Sequence, residues 1–412
     1  MKLKKFKILA GVFLFLPAIT FVSCVGNSKT TEPGNKQSSD VKNNNSTTAQ
    51  KWDKDVSLTL RTQYWELKAE DGKEEKFLKA FSEEFKKLKD ADPETKNLDD
   101  VNFTIKHQDD SGLVVQGLQT GTDDFGIANV TETVTRQDSE SKKLLSKLHT
   151  LTRAFKFDKD ANAKYVNGQN DDPLRKIATD TNAIFNKEPL YNNWTREAQK
   201  WDGKKYEFLY SNPDDLVSFY RGILFIHGTE SDLNQIKKAW NEKNWDTFRN
   251  FGIISTDNTN SSGKYLLQES LIRKHFNLGQ NFTLATDKLN HPSKYKVGRG
   301  RDIGQDANFK IAFDEEGSFA WTENKKDGKR YTSKIENGKV EVLTATERLP
   351  YDIGSFRKDF DEKQANLIVQ TFINLGKSGK DSFGPFVGYN GYKSIANFDE
   401  EVRKIFNNAY GQ

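Results

Sequence analysis

The amino-acid sequence predicts a two-lobed α/β protein, each lobe a mainly parallel sheet flanked by helices, with a ligand cleft between the lobes. Two stretches separated by an irregular region each show strand, helix, strand periodicity, and repeated β-α-β order implies parallel strands joined by right-handed crossovers. Roughly 360 of the 412 residues follow an N-terminal leader and its linker, more than the ~250–300 at which a single core stops growing. Ligands of such sheets gather at the carboxyl ends of the strands.

In the first stretch Val56, Leu58 and Leu60 alternate with polar residues, as in a strand. Phe77, Leu78, Phe81, Phe85 and Leu88 then recur at helical spacing, and Val101, Phe103 and Ile105 alternate again. A helical run at residues 113–118 leads to 124–129, a buried strand ending in a polar residue. The strand ends place Tyr64, Trp65 and Asn129 at the expected cleft. Residues 131–214 are polar and interrupted and give no clear element. From Phe219 the pattern resumes, with a strand at 223–226, a helix carrying Leu233, Ile236 and Trp240, a strand at 251–254 and a helical run with Leu266, Leu267 and Ile272. Trp240 and Trp245, on or beside a helix, are assigned to the core.

The N-terminus reads as an export signal over residues 1–23. Lys2, Lys4, Lys5 and Lys7 precede an apolar run at 8–22 that is short for a membrane span. It ends at Cys24, the one cysteine of the chain, which is placed for lipidation rather than for a disulfide. Two acyl chains on a cysteine give firm membrane attachment. Residues 24–51 carry almost nothing apolar and form the expected lipidated, flexible tether. The chain has 63 basic and 59 acidic residues, and the four lysines ahead of Cys24 account for the whole excess. The remainder is neutral, so no nucleic-acid footprint is indicated.

Ser261, Ser262, Gly263 and Lys264 open a helix in the second stretch. Small residues there leave N–H donors free to take an anion, although simple N-capping by Ser261 or Ser262 reads equally well. The segment is no nucleotide P-loop, since Asn258 stands where the first glycine should be. Aromatic residues next to polar ones, at Tyr64-Trp65, Phe219-Tyr220-Arg221, Trp321, Tyr389 and Tyr392, suit a cleft that stacks a ring or holds an organic cation; packing into the core is the alternative for each. Enzyme signatures are thin. No His-Glu-x-x-His and no Gly-x-Ser-x-Gly occurs, so no catalytic residue and no metal ligand is assigned. The run Asp314, Glu315 and Glu316 reads as a solvated turn, and Gly298-Arg-Gly-Arg-Asp-Ile-Gly304 as an exposed loop.

In order along the chain, Asp123-Asp-Phe-Gly-Ile, Tyr220-Arg-Gly-Ile, Ser261-Ser-Gly and Leu349-Pro-Tyr-Asp-Ile-Gly-Ser-Phe-Arg resemble solute-binding lipoproteins of ABC importers of the phosphonate-binding-like class. Lys238-Ala-Trp-Asn, Asp246-Thr-Phe-Arg-Asn-Phe-Gly-Ile, Glu315-Glu-Gly-Ser-Phe-Ala-Trp-Thr, Leu367-Ile-Val-Gln-Thr-Phe-Ile-Asn-Leu and Gly388-Tyr-Asn-Gly-Tyr-Lys are more specifically similar to the extracytoplasmic thiamine-binding lipoproteins of mycoplasmas. The resemblance implies a type II periplasmic-binding-protein-like fold, with lobe I at 52–133 and 342–412 and lobe II at 134–341. It implies a monomeric carrier on the outer face of the cell membrane that binds thiamine or thiamine diphosphate, without a catalytic cofactor, and serves a permease and its ATPase. Phosphate is expected at Ser261, Ser262, Gly263 and Lys264 with Arg221 as a second donor, and the rings at Tyr220, Tyr64, Trp65, Asn129, Trp321, Tyr389 and Tyr392. A carrier of another phosphorylated or phosphonate solute, a surface adhesin and a lipid-anchored hydrolase using residues 314–316 are the rival readings.

Overall fold

The computed structural model describes residues 52–61, 72–324 and 330–411. The signal, Cys24 and the tether lie outside the described residues, as do Tyr64 and Trp65. The strands are β1 (Asp55–Leu60), β2 (Asn102–His107), β3 (Phe125–Ala128), β4 (Leu145–Arg153), β5 (Leu216–Val217), β6 (Phe219–Gly228), β7 (Ile253–Ser255), β8 (Tyr295–Val297), β9 (Ile311–Glu315), β10 (Lys339–Pro350), β11 (Ile353–Phe356) and β12 (Gly391–Ser394). They form two sheets, one ordered β12-β4-β11-β3-β1-β2 with β5 beside β4, the other ordered β10-β6-β9-β7-β8.

Each sheet anchors one lobe of a two-lobed α/β fold, and both sheets are mixed rather than mainly parallel. β1 pairs in parallel with β2 and β3, and β7 with β8 and β9. β4, β10, β11 and β12 enter antiparallel. The β-α-β signal was clear where strands flank helices; the antiparallel strands follow connections without that rhythm. β4 lies in sequence inside the stretch expected to form lobe II, yet it sits between β11 and β12 of the first sheet. Its polar run Ser146, Lys147, His149, Thr150 and Thr152 hides it from hydrophobic periodicity. β10 stays on β6 as far as Pro350, opposite Phe219, so the return to the first sheet falls at Tyr351 and Asp352 rather than at 342.

In β1 even Ser57 and Thr59 are buried, because a central strand is covered on both faces. Ser57 uses its N–H and hydroxyl to bond one Asp124 oxygen, both at 2.8 Å. The expected helix with Phe77, Phe81 and Phe85 spans Lys73–Ala91, and those three phenylalanines are its buried stripe. It packs on helix Glu362–Ser378, where Phe372 meets Phe81, Phe125 and Tyr392 at centroid distances of 4.9, 5.2 and 5.2 Å. In the second lobe Trp240 and Trp245 are in the core as expected. The stretch 131–214 supplies β4 and then a second-lobe core around Phe185, Tyr191, Trp194, Tyr206 and Leu209.

The chain passes between the lobes four times, after β4, ahead of β5, between β5 and β6, and between β10 and β11. These crossings run together. Ala154 N–H donates to Asp215 O at 2.8 Å, Tyr351 N–H to Ser218 O at 2.9 Å and Thr150 N–H to Asp352 O at 3.2 Å. Beside them an apolar seam joins Val130 and Val134 of one lobe to Leu267 and Leu349 of the other through Phe406, Ala409 and Tyr410 of the C-terminal helix Lys404–Tyr410. Ser270 and Arg273 tie that helix down by bonds to Ala409 O and Tyr410 O at 2.7 and 2.9 Å.

Because Phe372 is buried among aromatic side chains, Phe372→Ala is expected to cost ~3–5 kcal/mol. Urea unfolding followed by tryptophan fluorescence measures it; a loss below ~1 kcal/mol would show that the site collapses without a cavity.

Candidate functional site

The turn that begins at Ser261 is held by its neighbours. Ser261 O accepts the N–H groups of Tyr265 and Leu266 at 3.0 and 3.1 Å, and the wide turn Ser262–Leu266 runs into helix Leu267–His275. As first residues of this turn, Ser262, Gly263 and Lys264 have N–H groups with no earlier carbonyl of the helix to take them. The buried Gln268 amide donates to Gly263 O at 2.7 Å and to Asp314 O at 2.9 Å, which locks the turn to the end of β9. A Cβ on Gly263 would stand 2.6 Å from Glu315 Cγ and 3.1 Å from Tyr220 Cε2, so only glycine lets β6, β9 and the turn meet.

Across the gap, Thr131 Oγ1 lies 2.7 Å from Ser262 Oγ. Asn129, at the end of β3, caps the short helix that carries Thr131 by accepting Glu132 N–H at 2.8 Å. Asn129 thus positions Thr131, and its carbonyl oxygen is committed to the cap. The Tyr220 ring faces Tyr351, with centroids 5.1 Å apart and planes at 45°. Burial, then the neighbouring Tyr410 and Glu315, push the Tyr220 hydroxyl well above the usual phenol range, and burial with Glu316 does the same for Tyr351. Both stay protonated donors. Beside them Asp352 accepts from Tyr389 Oη at 2.6 Å and from Arg61 Nη1 at 3.2 Å. Lys264 Nζ is 3.5 Å from Glu315 Oε2.

The fold therefore brings Tyr220, Ser261, Ser262, Gly263, Lys264 and Tyr389 into one region, with Asn129 behind it. It adds Thr131, Glu315, Tyr351 and Asp352, which the sequence reading missed. The phrase Leu349-Pro-Tyr-Asp-Ile held the available signal: an aromatic residue and a carboxylate at a crossing between lobes.

Three other expectations are corrected. Arg221 is fully buried. Its Nε donates to Asp158 Oδ2 at 2.7 Å, and its other nitrogens donate to the carbonyls of Ala163, Thr346 and Asp160 at 3.2, 3.1 and 3.0 Å. Fully buried and with every nitrogen engaged, this guanidinium is out of reach of a phosphate in the cleft. Tyr392 is a core residue whose hydroxyl donates to buried Asp381 at 2.8 Å. Trp321 is 42% exposed and lines a separate cavity with Trp201 and Arg301.

The acidic run is no solvated turn either, because Asp314 and Glu316 are buried. Burial, and next the charge of Glu315, raise Asp314 to about 6. Burial, and next the charge of Asp158, push the Glu316 carboxyl well above the usual carboxylate range. The Gly298–Gly304 stretch is likewise packed, with Gly300 pressed on Asp314 and Ile303 fully buried.

Among the described residues no group of three or more His, Cys, Asp or Glu is placed to hold a metal, and no helix is long and apolar enough to cross a membrane. Two lobes with a polar, aromatic region between them define the class of solute-binding proteins. Residues 75–411 match a family described as extracytoplasmic thiamine-binding lipoprotein. The chain is 39% identical over 416 residues to the High affinity transport system protein p37 of Mesomycoplasma hyorhinis, covering 99% of each. It is 35% identical over 317 residues to the protein of that name in Mycoplasma pneumoniae, covering 73% of this chain and 80% of the relative. The solved structure of Mycoplasma hyorhinis Mh-p37, presented as a candidate thiamine pyrophosphate transporter, matches with a TM-score of 0.79 and 40% identity over 87% of this chain and 99% of that one. The chain belongs to the extracytoplasmic thiamine-binding lipoproteins. It is a membrane-anchored, outward-facing solute-binding component of an ABC importer and not an enzyme.

Removing Arg221 strands Asp158 in the interior, so Arg221→Met is expected to cost ~3–5 kcal/mol in urea unfolding with no selective loss of phosphorylated ligands; a selective loss at intact stability would restore Arg221 as a ligand donor. Asp314 has a folded pKa above its unfolded one, so its stabilising contribution is present below about pH 3.8 and is lost as pH rises through about 6. The loss is about 3 kcal/mol at full extent. Asp314→Asn should be more stable than the parent at pH 7.5 and show a flatter stability profile from pH 4 to 6.5; a parallel profile would refute the assignment.

Proposed function

We propose that this chain binds thiamine or its phosphate esters between the two lobes and delivers them to a permease driven by an ATPase, held at the membrane by a lipid on Cys24. The observation that carries the reading is the close meeting of Tyr220, Glu315 and the turn at Gly263, with Tyr351 and Asp352 alongside. Thiamine is a cation on an aromatic frame. Tyrosine faces suit its rings, Glu315 and Asp352 suit the thiazolium charge and the pyrimidine amine, and the N–H groups of Ser262 and Gly263 suit ring nitrogens. The relatives support the same ligand class, since the family is described as thiamine-binding and Mh-p37 is presented as a candidate thiamine pyrophosphate transporter.

Charge decides how the solute lies. Lys264 is matched by Glu315 and Arg61 by Asp352, so the region has no surplus positive charge for a diphosphate. The crossings supply a hinge, and closure of the lobes over the solute is the expected motion.

Calorimetry on the full chain with thiamine and with its uncharged thiophene analogue tests this. Glu315→Gln should weaken thiamine about tenfold, as expected for a charge-assisted contact, and leave the neutral analogue nearly unchanged. Equal losses would remove Glu315 from the cation. A phosphonate that raises the melting temperature where thiamine does not would overturn the ligand class.

A further inference from the structure

A cavity of about 290 Å³ lies beyond the end of β9, lined by Trp201, Lys204, Arg301, Trp321, Glu323 and Arg330. It is at the lower end of the ~300–1,000 Å³ typical of small-molecule sites, so it has room for a fragment of a ligand. Its acids are already engaged, Glu323 with Arg196 at 2.7 Å and the nearby Asp302 with Arg330. Arg301 and Lys204 have no carboxylate partner among the described residues, and Arg301 Nε is buried without an acceptor. The Lys204 ammonium lies 4.7 Å from the Phe386 ring of the first lobe, which sets the cavity at the junction of the lobes.

The glycine-rich loop explains why Arg301 is there. Gly300 lies so close to Asp314 that a Cβ would stand 2.5 Å from the Asp314 Cβ, and Gly304, at φ +85°, presses on Thr332 in the same way. The loop is thereby pinned on both sides of Arg301, and its guanidinium is held at the cavity instead of sweeping through solvent. Trp321 connects this place to the binding region. Its ring centroid is 6.1 Å from that of Phe155, and Phe155 rests on Gly317, two residues beyond Glu315, where a Cβ would clash.

We propose that this cavity is a phosphate-binding subsite at the mouth of the cleft, with Arg301 and Lys204 as the anion donors and the two indoles as its walls. A buried guanidinium nitrogen lacking an acceptor is costly unless a ligand supplies one, and a planar guanidinium matches phosphate oxygens in pairs. The phosphate is either the esterified end of the solute or a free anion. The first source rests on the thiamine reading above; the second does not.

The test uses the full chain in detergent, titrated with thiamine, thiamine diphosphate and inorganic pyrophosphate, in the parent and in Arg301→Gln. About a tenfold weakening of thiamine diphosphate with thiamine unchanged assigns the subsite to the ester. Weakening of pyrophosphate alone assigns it to a free anion, and this arm holds even if thiamine does not bind. Unchanged affinities for both phosphate compounds overturn the proposal, as does a parent that neither binds pyrophosphate nor loses preference for the diphosphate on substitution. Arg301→Lys, which keeps the charge but not the paired donors, should retain part of the affinity at an unchanged melting temperature, and separates loss of the donor from misfolding.

Discussion

The buried ion cluster around Arg221 is the constraint on which the rest depends. A guanidinium at zero exposure is tolerable only if its donors are met and its charge is balanced. Both conditions are satisfied by groups from separate parts of the chain. Asp158, Asp160 and Ala163 follow the crossing after β4, Arg221 lies near the start of β6 just after the crossing from β5, and Thr346 lies on β10 ahead of the crossing to β11. Glu316 N–H also donates to Arg221 O at 2.9 Å. One side chain therefore fastens the second lobe at the root of these three connections and fixes the backbone next to Glu315.

From that root the proposed binding region follows by close approach. Gly222, directly after Arg221, lets Gln268 in, since a Cβ there would stand 2.4 Å from Gln268 Nε2. Gln268 then bonds the turn at Gly263 to the end of β9. Arg221 and Gln268 are buried polar groups with structural work, and their effect is to present Tyr220, Ser262 and Glu315 from one rigid face. Asp352 and Tyr351 come from the crossing between β10 and β11, so in the proposed closure they would move with the hinge itself.

Much of the fold was legible because its central β-α-β units bury regular apolar stripes, as in Phe77, Phe81 and Phe85 or Leu233, Ile236 and Trp240. β4 was not, because its place between two strands is earned by pairing and not by an apolar alternation. In the binding region the turn at Ser261–Lys264 could be read from local composition, as helix starts announce themselves. Arg221 misled for a physical reason: next to an aromatic residue at a strand start it has the look of a ligand donor, and only tertiary structure reveals the carboxylate and carbonyls that occupy it. Thr131 was invisible because its partner Ser262 is remote in sequence. The loop at 298–304 looked exposed by composition, yet its glycines are there for contact with β9 and Thr332.

The strength of the contacts between the lobes bears on how a carrier of this design would work. At the binding region the direct bridge is the Thr131–Ser262 hydroxyl pair, a neutral hydrogen bond worth only about 1 kcal/mol. The apolar seam at the C-terminal helix lies on the flank, next to the crossings, and can stay joined while the opposite side parts. A balance of this kind lets a solute that touches both Glu315 and Asp352 shift the population of closed molecules by its own contacts. A stronger latch at Thr131 would close the lobes without cargo, and a permease that recognises the closed form would then lose the distinction between loaded and empty carriers.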